Sequence, residues 1–168
     1  GHPVRDYNSL AESITLYMSR AAEKLRSQQS LANVVQVYIR TSPFKLDEPQ
    51  YSNGMTIPLP SPTDDTRQLV KIALWALKHL YKRHFSYAKA GVSLGDLIPR
   101  TSAQFDMFAS GQSTSRSTSL MIPIDRINSK MGRESIKLAS EGFARPWKMK
   151  QGNKSPNYTT SWDGLVRV

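Results

Sequence analysis

The sequence predicts an α+β domain, ferredoxin-like in its β-α-β-β-α-β order, with two helices on one face of the sheet. Three observations predict it. Two runs repeat apolar residues at steps of three and four, and three runs alternate them at steps of two. The runs follow one another as helix, strand, strand, helix, strand, and a short strand around Val4 would open the set.

The first helix is expected from Ser9, because Ser9-Leu10-Ala11-Glu12 has the spacing of a capping box. Leu10, Ile14, Tyr17, Met18, Ala21 and Leu25 make its apolar face. Residues 33–41 then alternate, with Val35, Val37 and Ile39 on one face and Gln36, Tyr38 and Arg40 on the other. Residues 51–54 (Y-S-N-G) read as a turn, followed by Met55, Ile57 and Leu59 in alternation. Pro58 and Pro60 cannot donate to a ladder, so this strand belongs at an edge or ends there. Asp64 and Asp65 stand where a carboxylate favours the positive end of a helix dipole. The second helix carries Leu69, Ile72, Ala73, Ala76, Leu77 and Leu80, and residues 81–84 end it. Residues 87–94 alternate again, Ala88, Ala90, Val92 and Leu94 inward, Tyr87, Lys89, Gly91 and Ser93 outward. The face left open carries basic, amide and hydroxyl side chains, which suit either phosphate contact or simple solvation.

Composition narrows the chemistry. The 168 residues include no cysteine, which removes thiol catalysis, Cys-ligated metals and disulfides together. Among the three histidines none has a carboxylate or histidine at ligand spacing, and Asp64-Asp65 is explained by its place at a helix start. No nucleotide cradle or nucleophile elbow occurs, so no catalytic residue, metal or cofactor is expected in this chain. No apolar run approaches a membrane span. With 23 Lys+Arg against 13 Asp+Glu, a net charge of +10, the expected partners are polyanions, nucleic acid first. Residues 1–100 hold 13 basic against 8 acidic side chains, and residues 101–168 hold 10 against 5, so both halves are equally basic.

Three regions follow: a domain over 1–98, a connecting segment over 99–119, and a basic C-terminal subdomain over 120–168. Residues 109–119 (A-S-G-Q-S-T-S-R-S-T-S) lack any large apolar residue and read as a flexible tether. Just before them stands Gln104-Phe105-Asp106-Met107-Phe108, the pattern of bacterial sliding-clamp-binding peptides. Met107 and Phe108 would fill an apolar pocket while Gln104 bonds at its rim; alternatively Phe105, Met107 and Phe108 pack on the domain edge. After the tether, residues 122–128 are expected to form a short helix and 135–139 a strand. Trp147 and Trp162 serve as core of this small subdomain or as stacking platforms, and a piece so small needs its aromatics for core.

Several runs carry a resemblance. Ile39-Arg40-Thr41-Ser42-Pro43-Phe44, Glu48-Pro49-Gln50-Tyr51, Pro62-Thr63-Asp64-Asp65-Thr66-Arg67 and Tyr87-Ala88-Lys89-Ala90-Gly91-Val92 resemble the UmuC family, with its ImpB/MucB/SamB group. Trp147-Lys148-Met149-Lys150 and Ser155-Pro156-Asn157-Tyr158-Thr159-Thr160 are similar to the tail of those proteins. The resemblance implies the C-terminal part of a cytoplasmic, SOS-induced Y-family translesion DNA polymerase. Its palm, with the Mg²⁺-binding carboxylates, would precede residue 1, so this part itself is not expected to polymerise DNA. Residues 1–98 would be the little finger, its first strand short, its sheet on primer–template DNA through Arg40, Thr41, Ser42, Lys89, Gly91 and Ser93. The resemblance also implies the sliding clamp as partner of residues 104–108, and the processed UmuD dimer and the recombinase filament as further partners.

Overall fold

The computed structural model describes residues 3–102, 112–145 and 147–148. Helix α1 (Tyr7–Ser27) leads into strand β1 (Ser30–Thr41), strand β2 (Ser52–Thr63), helix α2 (Thr66–Leu80) and strand β3 (Tyr87–Pro99). A third helix, α3 (Gln112–Met131), follows. The domain is α+β. Its sheet is antiparallel in the order β2-β1-β3, so the Pro-bearing β2 lies at an edge as expected. Val4 pairs with Tyr87 through two backbone bonds of 2.8 Å on the outer side of β3, which reduces the expected opening strand to one bridge among the described residues.

One face of the sheet is covered by α1 and α2. Val35, Val37 and Ile39 are fully buried against Leu10, Ile14 and Met18 of α1 and Leu69, Ala73 and Leu77 of α2. Slipping β1 by one residue would turn all three outward, at roughly 1.5–3 kcal/mol for each, so this burial fixes the register.

Several expectations need correcting. Helix α1 begins earlier than Ser9, because the Asp6 carboxylate accepts from the Ser9 amide at 2.7 Å and acts as the N-cap. Residues 51–54 are not the turn; Asn53 and Gly54 are already paired with Ile39 and Tyr38, and the connection is the loop over residues 42–50. In β3 the alternation breaks at its first step. Arg40 pairs with Lys89 but Thr41 pairs with Tyr87, which leaves Ala88 as an extra residue. That bulge sends Tyr87 into the core, 2% exposed, and Ala88 out to solvent, the reverse of the expected assignment.

The expected tether is helical from Gln112, and residues 109–111 lie outside the described residues. Its downstream half explains this: Met121 is buried and Asp125 is ion-paired to α1, and once a helix is anchored, extending it upstream costs little. The helix expected over 122–128 is thus the end of a longer one, stopped by Gly132 at φ 102°. The strand expected over 135–139 does not form. Asn128 donates to the Ile136 carbonyl at 2.9 Å and accepts from its amide at 2.8 Å, occupying the backbone groups a ladder would use.

The segment after α3 docks along α1. Arg145, buried, pairs with Glu141 at 3.1 Å and with Glu134, which also takes Arg20 of α1 at 3.0 Å. Trp147 donates from its indole to Glu12 at 3.1 Å and meets the Tyr17 ring edge to face. It therefore serves as packing; Trp162 lies outside the described residues.

Candidate nucleic-acid interface

The face of the sheet not covered by helices is built in rows, because directly paired residues of an antiparallel sheet project to the same side. Ser52, Arg40 and Lys89 form one row; Gly54, Tyr38 and Gly91 the next; Thr56, Gln36 and Ser93 the third. Arg40 and Lys89 stand directly opposite each other, a pairing of like charges that the fold alone disfavours. Neither makes an ion pair or a side-chain hydrogen bond among the described residues, and none of the nine residues in these rows is a carboxylate. Among the described residues these rows are positive without compensation.

The residues expected at this surface separate into two groups. Arg40, Lys89 and Ser93 are exposed on the open face. Thr41 is not: it is buried, its hydroxyl donates to Gln50 at 2.8 Å and accepts from the Tyr51 amide at 3.0 Å, closing the β1–β2 loop. Ser42 is half-buried at the start of that loop, its carbonyl accepting from the Lys45 amide. Gly91 is buried beneath Tyr38; a Cβ there would stand 2.4 Å from the ring's Cζ and Oη, so the space expected for a close approach is taken by the ring. Tyr38, Gln36, Thr56 and Ser52 complete the face. Gln36 and Tyr38 were visible in the β1 alternation, whereas Ser52 and Thr56 needed the pairing with β2.

Glu48, Asp64 and Asp65 are each held by a basic side chain. Glu48 in the β1–β2 loop accepts from Lys45 at 2.8 Å and lies 3.9 Å from Arg5. The Lys45 hydrogen bond, with the charges of Lys45 and Arg5, holds its carboxyl below the usual range despite partial desolvation. Asp65 is the N-cap of α2, accepting from the Arg67 amide at 2.8 Å and paired with its guanidinium at 2.8 Å; Asp64 pairs with Arg100. Both carboxylates thus have structural work. Among the described residues no cluster of His, Asp and Glu could hold a metal ion, and no helix is long and apolar enough to cross a membrane. His79 bonds the Trp75 carbonyl one turn back at 2.8 Å, and His84 sits in the loop after α2 at φ 75°. Residues 104–108 lie outside the described residues.

Comparison with known proteins bears on the whole chain. Residues 1–107 match the impB/mucB/samB family C-terminal domain. The chain belongs to the impB/mucB/samB family. Residues 118–168 match a domain of unknown function (DUF4113). The chain is 35% identical to protein UmuC of Salmonella typhimurium over 168 residues, covering all of this chain and 40% of that protein. It is 37% identical to protein ImpB of Salmonella typhimurium over 162 residues, 96% of this chain and 38% of ImpB. It is 35% identical to protein MucB of Escherichia coli over 165 residues, 98% of this chain and 39% of MucB. The chain thus spans two fifths of the length of these relatives or slightly less. Within the impB/mucB/samB match lie the whole sheet, α1 and α2; α3 and the docked segment fall almost entirely in the second match.

Proposed function

We propose that this chain is the DNA-gripping, clamp-targeting C-terminal part of a cytoplasmic, SOS-induced error-prone translesion polymerase. One observation carries the reading: a sheet face in which Arg40 and Lys89 stand side by side, unpaired among the described residues, with no carboxylate in the three rows that include theirs. Two cations held together against their own repulsion are stabilised by a polyanion laid across them, and duplex backbone supplies one in any sequence. Thr56, Gln36 and Ser93 offer neutral donors to the same strand. Polymerisation itself, with its Mg²⁺, belongs to the part of the relatives that this chain does not span. The role left here is recruitment: a clamp anchor at Gln104, Phe105, Asp106, Met107 and Phe108 raises local concentration, and the sheet holds primer–template DNA.

Affinity for primer–template duplex, measured at two salt concentrations, tests the grip. Binding should fall steeply with salt, and Arg40→Ala or Lys89→Ala should each lower the slope of log K against log salt by about 1. Binding without a salt slope refutes it. For the anchor, replacing Met107 and Phe108 by Ala should abolish capture by the sliding clamp; retained capture refutes that assignment.

A second reading is favoured by the docked segment. It carries Arg133, Lys137, Arg145 and Lys148 against Glu134 and Glu141, and with the end of α3 it leaves Phe143 84% exposed and Met131 74% exposed, on a surface separate from the rows of the sheet. Such a surface suits an acidic protein partner, the processed UmuD dimer or the recombinase filament. Removing residues 120–168 should then cost partner binding and leave duplex binding in place.

A further inference from the structure

The open face has a floor as well as charges. At its centre Tyr38 has glycine on both sides, Gly54 on β2 and Gly91 on β3. The ring lies down across Gly91: a Cβ added there would meet Cζ and Oη at 2.4 Å and Cε1 at 2.6 Å. On the other side a Cβ at Gly54 would stand 3.3 Å from the Tyr38 Cβ. An aromatic ring covering a strand glycine is a known way to stabilise a sheet, and that accounts for the ring's inner face. It does not account for the outer one. Tyr38 remains 42% exposed, and its hydroxyl makes no hydrogen bond among the described residues.

We propose that Tyr38, laid over Gly91, is the non-ionic contact of this interface, a shelf on which a deoxyribose of duplex DNA rests while neighbouring phosphates lie on Arg40 and Lys89. This rests on the proposed DNA-gripping function and deepens it. The two glycines keep the middle of the face low, so a backbone can descend onto the ring between the long cationic side chains of one row and the short polar ones of the next. One step along the strands leads from cations to ring, the same order as phosphate and then sugar along a DNA strand. The ring's apolar surface suits the C–H face of a sugar, and the free hydroxyl at its rim can donate to a phosphate oxygen. Stacking of unpaired bases is disfavoured by count, because sheets that read single strands present two or three aromatics and the three central rows present one.

Duplex affinity and salt slope, measured on the full chain for Tyr38→Ala, Tyr38→Phe, Gly91→Ala and Arg40→Ala, test the proposal. Tyr38→Ala should weaken duplex binding roughly ten-fold with the salt slope unchanged, since no charge is removed. Tyr38→Phe keeps the shelf and should lose at most about three-fold, the low end of a net hydrogen bond, since water can take the place of an exposed hydroxyl at the phosphate. Gly91→Ala lifts the ring off its seat and should weaken binding by as much as Tyr38→Ala. Amide exchange of β1 and β3 in each variant reports whether the sheet persists, and Tyr38→Phe decides if Tyr38→Ala loosens it: a loss with Phe equal to that with Ala overturns the shelf. Unchanged affinity in Tyr38→Ala beside weakened Arg40→Ala overturns the shelf and leaves the ionic grip standing. Loss confined to single-stranded DNA overturns it in favour of base stacking. Absence of duplex binding by the unaltered chain overturns shelf and grip together.

Discussion

Tyr87 shows how much one side chain holds in this fold. Its ring is buried among Tyr51, Tyr81 and Phe85, with centroid separations of 6.1, 5.9 and 6.5 Å. At its tip the hydroxyl accepts from the Lys82 amide and donates to the Lys82 carbonyl, both at 2.9 Å, closing the loop between α2 and β3. Its backbone meanwhile pairs with Val4. Burial pushes the phenol up from its ordinary value, so it stays a neutral donor at any pH the protein meets. Tyr87→Phe would keep the ring and strand both Lys82 groups, and should cost about 1–3 kcal/mol in urea unfolding. A change within a few tenths would mean that solvent replaces the hydroxyl without loss. Asp65 works similarly at the start of α2. Asp65→Ala removes the N-cap and the partner of Arg67, and should lower stability by about 1–2 kcal/mol in the same measurement. The position of Tyr87 could not be read from the alternation of residues 87–94, because a bulge reverses one step without leaving a mark in the sequence. Ala88 is neither glycine nor proline, and only the pairing of Thr41 with Tyr87 reveals it as the extra residue.

At the scale of elements, what was legible follows the range of the forces involved. The central strand, both main helices and the edge position of β2 were readable, since each is encoded in local periodicity or in Pro58 and Pro60. Of the residues expected at the sheet surface, Arg40, Lys89 and Ser93 lie exposed on the open face, whereas Thr41 is buried, because its hydroxyl is engaged by Gln50 and Tyr51 across the loop. The end of the Ser/Thr-rich segment was illegible for another reason. Helix α3 is held by partners 99 residues away in sequence: the Arg26 guanidinium donates to both Asp125 oxygens at 2.6 and 2.7 Å. The same Arg26 also donates to the Asp64 carbonyl at 2.7 Å and to the Thr66 hydroxyl at 2.8 Å, so one side chain joins α1, α2 and α3. Asp125→Ala should therefore release α3 without unfolding the sheet, seen as faster amide exchange over residues 112–131 with β1 unaffected. Arg26→Ala should do more, because it also deprives the start of α2; two equal effects would show that Arg26 acts on α3 alone.

For the whole molecule the question is whether the two family matches form one body at all conditions, and the answer turns on Glu134. Beyond Arg26, the docked segment is tied to α1 by a carboxylate that receives Arg145 from its own side and Arg20 from α1. Partial burial alone would raise the Glu134 carboxyl, but hydrogen bonds from Arg145 and Arg20, with both charges, outweigh it and hold the carboxyl below the usual range. A group whose folded form binds its proton more weakly than its unfolded form stabilises the folded state above the unfolded value, about 4.3 for Glu, and loses that contribution as pH falls through the lower folded value. Acidification below about 4.3 should therefore loosen the docked segment: Arg145 is buried, and protonating Glu134 leaves it with Glu141 as its remaining carboxylate. The three central rows of the open face have no carboxylate to titrate in that window, so undocking should precede any change in those rows. Limited proteolysis across residues 132–145, followed from pH 7 downward, should show cleavage rising below about pH 4.3 in the unaltered chain. In Glu134→Gln the acid-dependent step should be smaller and cleavage at neutral pH greater, since the amide cannot supply the charge both arginines need. An identical pH profile in the two proteins would mean that Glu134 does not govern docking, and that Arg26 with Asp125 and Trp147 with Glu12 and Tyr17 hold the two parts together without it.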